Sequence, residues 1–254
     1  MRRLLPRRVA RDHAGDLVDH LGELRARLAV SAVAVGAGFA VAFAVHGRLI
    51  EALTRPLPPE HRHPVTFGVA EPFMVSLKVS LAAGVLLALP IVLWQVWSFL
   101  APALSERVER TIAGLAGAAA ALAVGGIAFG YLVALPAALK FLTTFDDDIY
   151  NVQIRAADYY SFATMVLVAV AVVFELPVFI IALVRIGVTS SAKLRRNRRI
   201  GYVAVAALAV ALPGVDPVTT TIEMLPLLAL FEGAIWTAVL LERRWAAPAV
   251  PEPA

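Results

Sequence analysis

Residues 159–185 read YYSFATMVLVAVAVVFELPVFIIALVR, with Glu175 and the terminal Arg185 as the only charged side chains. A helix rising 1.5 Å per residue covers roughly 40 Å over such a run, more than a hydrocarbon core of about 30 Å requires. An apolar stretch of this length reads as a bilayer span and not as the buried helix of a soluble domain. Working outward, comparable runs occupy 24–45, 73–99 and 111–141. Two further runs occupy 200–212 and 218–241, the first of only 13 residues and the second interrupted by Glu223, Pro226 and Glu232. The chain is thus expected to be an all-α polytopic membrane protein of six transmembrane helices, with short fifth and sixth helices. It forms one domain over 1–245, followed by a proline-rich tail, 246–254, expected to be disordered.

Composition agrees. Of 254 residues 60% are hydrophobic and 17% charged, and the mean hydropathy is +0.78. Soluble domains run nearer one half apolar and one quarter charged. With no cysteine there is no disulfide, thiolate metal site or catalytic thiol. The five histidines (13, 20, 46, 61 and 63) fall in the first quarter of the chain, and neither a His-Glu-x-x-His nor a Gly-x-x-x-x-Gly-Lys stretch occurs. Intramembrane proteolysis and P-loop nucleotide hydrolysis therefore lack their residues. No enzyme activity, metal or cofactor is expected.

The cations set the orientation. Seventeen Lys and Arg lie before the first span, in the second–third loop, around the fourth–fifth loop and at the end of the sixth span, and six lie on the other side. The positive-inside rule puts both termini in the cytoplasm. The same rule accounts for the basic clusters, so nucleic acid is not the expected partner. The first 27 residues hold seven Arg but no apolar stretch suited to a cleavable leader, so the first span is expected to direct insertion.

Certain polar residues need a reason. Glu175 sits mid-span, where a carboxylate costs about 2.5–3.5 kcal/mol on insertion scales. Either it hydrogen-bonds a neighbouring helix, or it contacts a partner helix or substrate within the membrane; a small proton-coupled solute permease using Glu175 is the alternative function. Glu23 and Arg27 are four apart before the first span and suit a helical ion pair. In the second–third loop Pro102 stops a helix, Ser105 suits an N-cap, and Glu106 and Glu109 complement the next helix dipole. Capping leaves one acidic group over on a cationic face, and a carboxylate there suits a guanidinium fork. Asp216 either caps the sixth helix or serves function with Glu232 at the other end of the short pair. Gly126-x-x-x-Gly130 reads as close helix packing inside the fold.

Taken together these features resemble the TatC family, the membrane receptor of the twin-arginine (Sec-independent) protein translocase. The resemblance runs from about 17 to 242. It rests on His20-Leu21-x-Glu23-Leu24-Arg25-x-Arg27, on Phe73 to Lys78, and on Gln95-x-Trp97-x-Phe99-x-x-Pro102. It continues in Phe174-Glu175-x-Pro177, in Asp216 after the short fifth helix and in Leu230-Phe231-Glu232. It implies a receptor and scaffold whose cytoplasmic face binds the paired arginines of signal peptides on folded cargo, through Glu23, Arg25, Phe99 and a loop carboxylate, Glu106 or Glu109. The family's usual position for that carboxylate holds Val108 here, and Glu106 and Glu109 flank it. The resemblance further implies small single-span partner subunits of the TatA/TatB type, a homo-oligomeric receptor complex in the bacterial plasma membrane, and transport driven by the proton gradient. A concave groove holding Glu175 is implied, with Asp216, Thr220 and Glu232 as further intramembrane contacts; Thr220 replaces the family's frequent glutamine.

Overall fold

A computed structural model of the chain describes residues 13–100, 109–150, 152–185, 187–214 and 216–245. Glu106 and the tail 246–254 lie outside the described residues, and of Glu109 only the backbone is described. The described chain is almost wholly helical. In order come α1 (His13–Ala44), α2 (His46–Thr54), α3 (Glu71–Leu100), α4 (Glu109–Phe129), α5 (Leu135–Thr144), α6 (Ala156–Val173), α7 (Leu176–Arg185), α8 (Ser191–Arg196), α9 (Arg198–Ala211) and α10 (Pro217–Trp245). A π-helical turn, Gly130–Ala134, joins α4 to α5. Pro136 follows directly, and a wider turn relieves the clash and lost hydrogen bond that a helical proline imposes.

Five stretches are long and apolar enough to cross a membrane: Leu21–Ala44, Glu71–Val96, Gly117–Thr144, Ala156–Arg185 and Pro217–Arg243. These are the expected first, second, third, fourth and sixth spans. The expected fifth is α9, of 14 residues, which reaches only about 21 Å. The sixth is not short: α10 runs for 29 residues straight through Pro226. Glu223, Pro226 and Glu232 do not interrupt it, because packing against α7, α8 and α9 compensates one missing backbone hydrogen bond. The expected fourth span breaks in its middle. Phe174 and Glu175 form a turn between α6 and α7, one residue ahead of Pro177, which has no N–H to donate to Val173.

A five-residue link folds α9 back along the first half of α10. Arg198, at the start of α9, lies opposite Glu232, while Ser191, at the start of α8, reaches Glu242. The short α8 thus covers the end of α10 that α9 leaves bare. This end of the bundle holds the start of α1, the end of α3 and the end of α10, and is called the basic end below.

Of four buried clusters among the described residues, the two largest hold the bundle. One joins Val166, Val170 and Phe174 to Val205, Ala209, Leu227, Phe231 and Ile235. The other, toward the opposite end, joins Leu53, Leu57, Val75, Val79, Leu135, Tyr159 and Ala163. There three phenols fasten α2. Tyr131 Oη donates to the Ala52 carbonyl at 2.8 Å, Tyr159 Oη donates to the Leu53 carbonyl, and Tyr160 Oη pairs with Thr54 Oγ1 at 2.8 Å. Tyr131 and Tyr159 thus reach carbonyls in the last turn of α2, where intrahelical donors run out, and Tyr160 holds the Thr54 side chain.

The first span is nearly alone, with 6% of its apolar window buried. It packs on α3, where Gly38 meets Gly84; a Cβ on Gly84 would stand 2.5 Å from the Phe39 amide nitrogen. In lipid, such close approach supplies the dispersion that hydrophobic burial does not. Gly126 and Gly130 pack against Ala171, Phe174 and Leu167, so this pair serves contact inside the fold.

Candidate functional site

At the basic end the last turns of α3 bring Gln95 and Phe99 onto one face, four residues apart. The start of α1 brings Glu23 and Arg27 against it. Arg27 donates from Nε and Nη2 to Glu23 Oε1, at 3.0 and 2.5 Å. Its Nη1 reaches Gln95 Oε1 at 3.5 Å. The Glu23 side chain is 33% exposed and that of Arg27 23%. Arg25, by contrast, faces solvent. Glu109 opens α4 nine residues beyond the end of α3 and so belongs to the same end. The structure therefore brings together Glu23, Arg27 and Gln95, a carboxylate already engaged by a guanidinium, with Phe99 one helical turn beyond Gln95 along α3.

The intramembrane residues divide into separate places. Glu175 is 7% exposed, and neither carboxyl oxygen finds a hydrogen-bond partner among the described residues. Glu232 instead faces a groove of about 580 Å³ between α9 and α10, lined by Tyr202, Val203, Ala206, Met224, Leu228 and Ala229. This groove has Glu232 in its wall and not Glu175. Arg198 Nη2 lies 3.3 Å from Glu232, Tyr202 Oη donates to the same carboxylate, and the Arg198 guanidinium sits over Trp236 at 5.7 Å. These contacts pair the Arg198 cation at the start of α9 with a carboxylate and an aromatic face. Sixteen residues earlier, Asp216 Oδ1 accepts from the Thr219 amide at 2.7 Å and caps α10. Thr220 Oγ1 turns back to the Asp216 carbonyl at 2.9 Å.

Some features escape the sequence. Asp216, Thr219 and Glu223, at i, i+3 and i+7, share one buried face of α10 and are 3%, 0% and 1% exposed. Asp216 Oδ2, Thr219 Oγ1 and both Glu223 oxygens lack partners among the described residues. A buried polar group with no partner subtracts about 1–3 kcal/mol. Glu223→Met, similar in volume and apolar, is therefore expected to raise thermal stability in detergent by about that amount. A lower melting temperature would show that Glu223 is bonded in the folded protein.

At the far end, Glu71 joins the segment before α3 to the start of α6. Its carboxylate accepts from Arg155 Nε at 3.1 Å and Nη2 at 3.2 Å, and from the amides of Phe67 at 3.0 Å and Ala157 at 3.1 Å. Arg155 stacks over Phe67 at 5.8 Å, and its hydrogen bond to Glu71 pushes its guanidinium above the usual range. Val65 bridges to the same strand of chain, its amide donating to the Ile154 carbonyl and its carbonyl accepting from Ala156, both at 2.8 Å. Among the described residues no three His, Cys, Asp or Glu side chains converge as metal ligands.

Comparison with known proteins gives a consistent picture. A family model described as Sec-independent protein translocase protein (TatC) matches residues 19–226. A Carboxydothermus hydrogenoformans protein of that name is 34% identical over 227 residues, covering 89% of this chain and 93% of that one. The chloroplastic TATC protein of Arabidopsis thaliana is 32% identical over 228 residues, covering 89% and 67%. A crystal structure described as the twin arginine translocase receptor TatC superposes with a TM-score of 0.75 at 31% identity, covering 88% of this chain and all of that one.

Proposed function

Since the chain belongs to the TatC family, a multi-pass membrane component of the Sec-independent protein translocase and a receptor rather than an enzyme, we propose that its basic end binds the twin-arginine signal peptides of folded cargo. The observation that carries this is the Glu23–Arg27–Gln95 cluster, one helical turn from Phe99 along α3. It is a carboxylate geometry that already receives a guanidinium, set on the one face where cations otherwise predominate. A second carboxylate, Glu106 or Glu109, comes from the loop before α4, and Arg25 lies within reach of the leader's flanks. The lysine and arginine asymmetry supports a bacterial plasma membrane setting with both termini cytoplasmic, so that this end meets cargo before transport. Family membership implies transport driven by the proton gradient, and the lack of a nucleotide-binding loop in the sequence is consistent with that. The family assignment takes the place of the solute-permease alternative. The test is export of a folded reporter carrying an Arg-Arg signal, against its Lys-Lys version, in cells lacking their own copy: export of the first alone supports the receptor role, and equal export of both contradicts it.

The single-span subunits of TatA/TatB type are proposed to dock along α9 and α10, and the receptor to assemble as a homo-oligomer. The groove with Glu232 in its wall is otherwise lined by apolar side chains and Tyr202, and Asp216 and Thr220 lie at the start of α10, which forms one of its sides. Glu175 lies buried in the α6–α7 break and is proposed to support the packing around this face. Ala206→Trp, which fills the groove, is expected to abolish co-purification of the single-span subunits, and Glu175→Ala to weaken it. Full retention in both variants would remove this face from consideration.

A further inference from the structure

The carboxylate assigned above to the cargo arginines is already held by an arginine of the chain itself. We infer that Arg27 is an internal competitor for Glu23 that sets the affinity threshold a cargo leader must exceed; this rests on the receptor reading. An exposed helical pair four residues apart is worth only a few tenths of a kcal/mol and would set no threshold. This pair differs in geometry. Two guanidinium donors converge on Glu23 Oε1, at 3.0 and 2.5 Å. Both side chains are two-thirds or more removed from solvent, where Coulomb attraction is screened less. The third nitrogen, Nη1, already reaches Gln95 Oε1 on α3 at 3.5 Å.

A cargo guanidinium grips a carboxylate best through both oxygens at once. Taking Glu23 in that way requires Arg27 to release Oε1, and Gln95 is the acceptor to which the released side chain turns. Binding is thus an exchange, in which the energy of the Glu23–Arg27 contact is subtracted from the affinity of every leader. The subtraction is equal for arginine and lysine leaders, so their ratio is unchanged. What shifts is the absolute affinity, leaving at working concentration only the leader that makes the stronger contact. An ammonium, with no planar fork, makes the weaker one.

The test uses the purified full-length protein in detergent and a fluorescent Arg-Arg leader peptide, read by anisotropy at fixed ionic strength. Arg27→Gln is expected to tighten binding about tenfold, equivalent to about 1.4 kcal/mol. Arg27→Lys, which keeps the charge but loses the fork, is expected to tighten it by a smaller factor. The lysine variant separates competition from general electrostatics, which would leave its affinity at the wild-type value. Arg199→Gln, removing an exposed cation at the same end, is the matched control for net charge. Affinity unchanged or reduced in both Arg27 variants, with the wild type still binding the leader, overturns the competitor role alone. A wild-type protein that binds the Arg-Arg leader no better than an uncharged one overturns the receptor reading, and this inference with it.

Discussion

Reversing Glu23 and Glu109 together, as Glu23→Lys with Glu109→Lys, is expected to reduce crosslinking of an Arg-Arg signal peptide by more than two orders of magnitude while the protein still inserts. A hydrogen bond to a charged group is worth about 1.5–3 kcal/mol, which is roughly 10- to 150-fold per site, and two sites on one ligand compound. Reversal adds repulsion, and at position 23 it also releases Arg27 from its only ion pair among the described residues. The single variants, with Glu106→Lys beside them, apportion the loop contribution between the two carboxylates flanking Val108. Unchanged crosslinking in all three single variants and the double would remove acidic capture of the arginines from the account.

The second large effect is expected at the opposite end. Glu71 is nearly buried and holds four donors from three separate residues, two of them backbone amides. Truncation as Glu71→Ala leaves the Phe67 and Ala157 amides without their acceptor and unties the segment 58–70 from the start of α6. Hydrogen exchange at these two amides is expected to accelerate by at least about tenfold, since opening there no longer breaks charge-assisted hydrogen bonds. Proteolysis between α2 and α3 should follow. Glu71→Gln is expected to fall between, keeping acceptance at one oxygen and opposing Arg155 with an amide donor at the other. Unaltered exchange in Glu71→Ala would show that the Val65 bridge and the three phenols on α2 hold this end alone.

What the sequence reveals and what it conceals differ in kind. Apolar length fixes the five long spans because every backbone group in a bilayer must be satisfied within its own helix. The break at Glu175 has its cause in the missing N–H of Pro177, although the uninterrupted apolar run reads as one continuous span. The Glu23–Arg27 contact follows from helical spacing, which places residues four apart on one face. The same local logic misleads in α10, where Glu223, Pro226 and Glu232 look like interruptions. There neighbouring helices, which the sequence does not display, bury Glu223 and supply Glu232 with Arg198 and Tyr202. Glu71 and Arg155 are 84 residues apart, and no period or spacing links them. Only the fold brings the second–first span loop against the third–fourth one. Likewise, Glu175 in the sequence suggests a groove-facing carboxylate, but whether it faces the groove or the interior depends on the rotation of α6 and α7, which apolar composition on all sides leaves unset.

The most direct measurement of the central claim is binding of a signal peptide by the purified protein in detergent, comparing the Arg-Arg leader with the same peptide carrying Gln-Gln. Two guanidinium contacts at the charge-assisted strength above predict a difference of about 100-fold or more in favour of the arginine leader, lost in the Glu23→Lys, Glu109→Lys protein. Equal affinities for the two peptides in the wild-type protein would contradict the account.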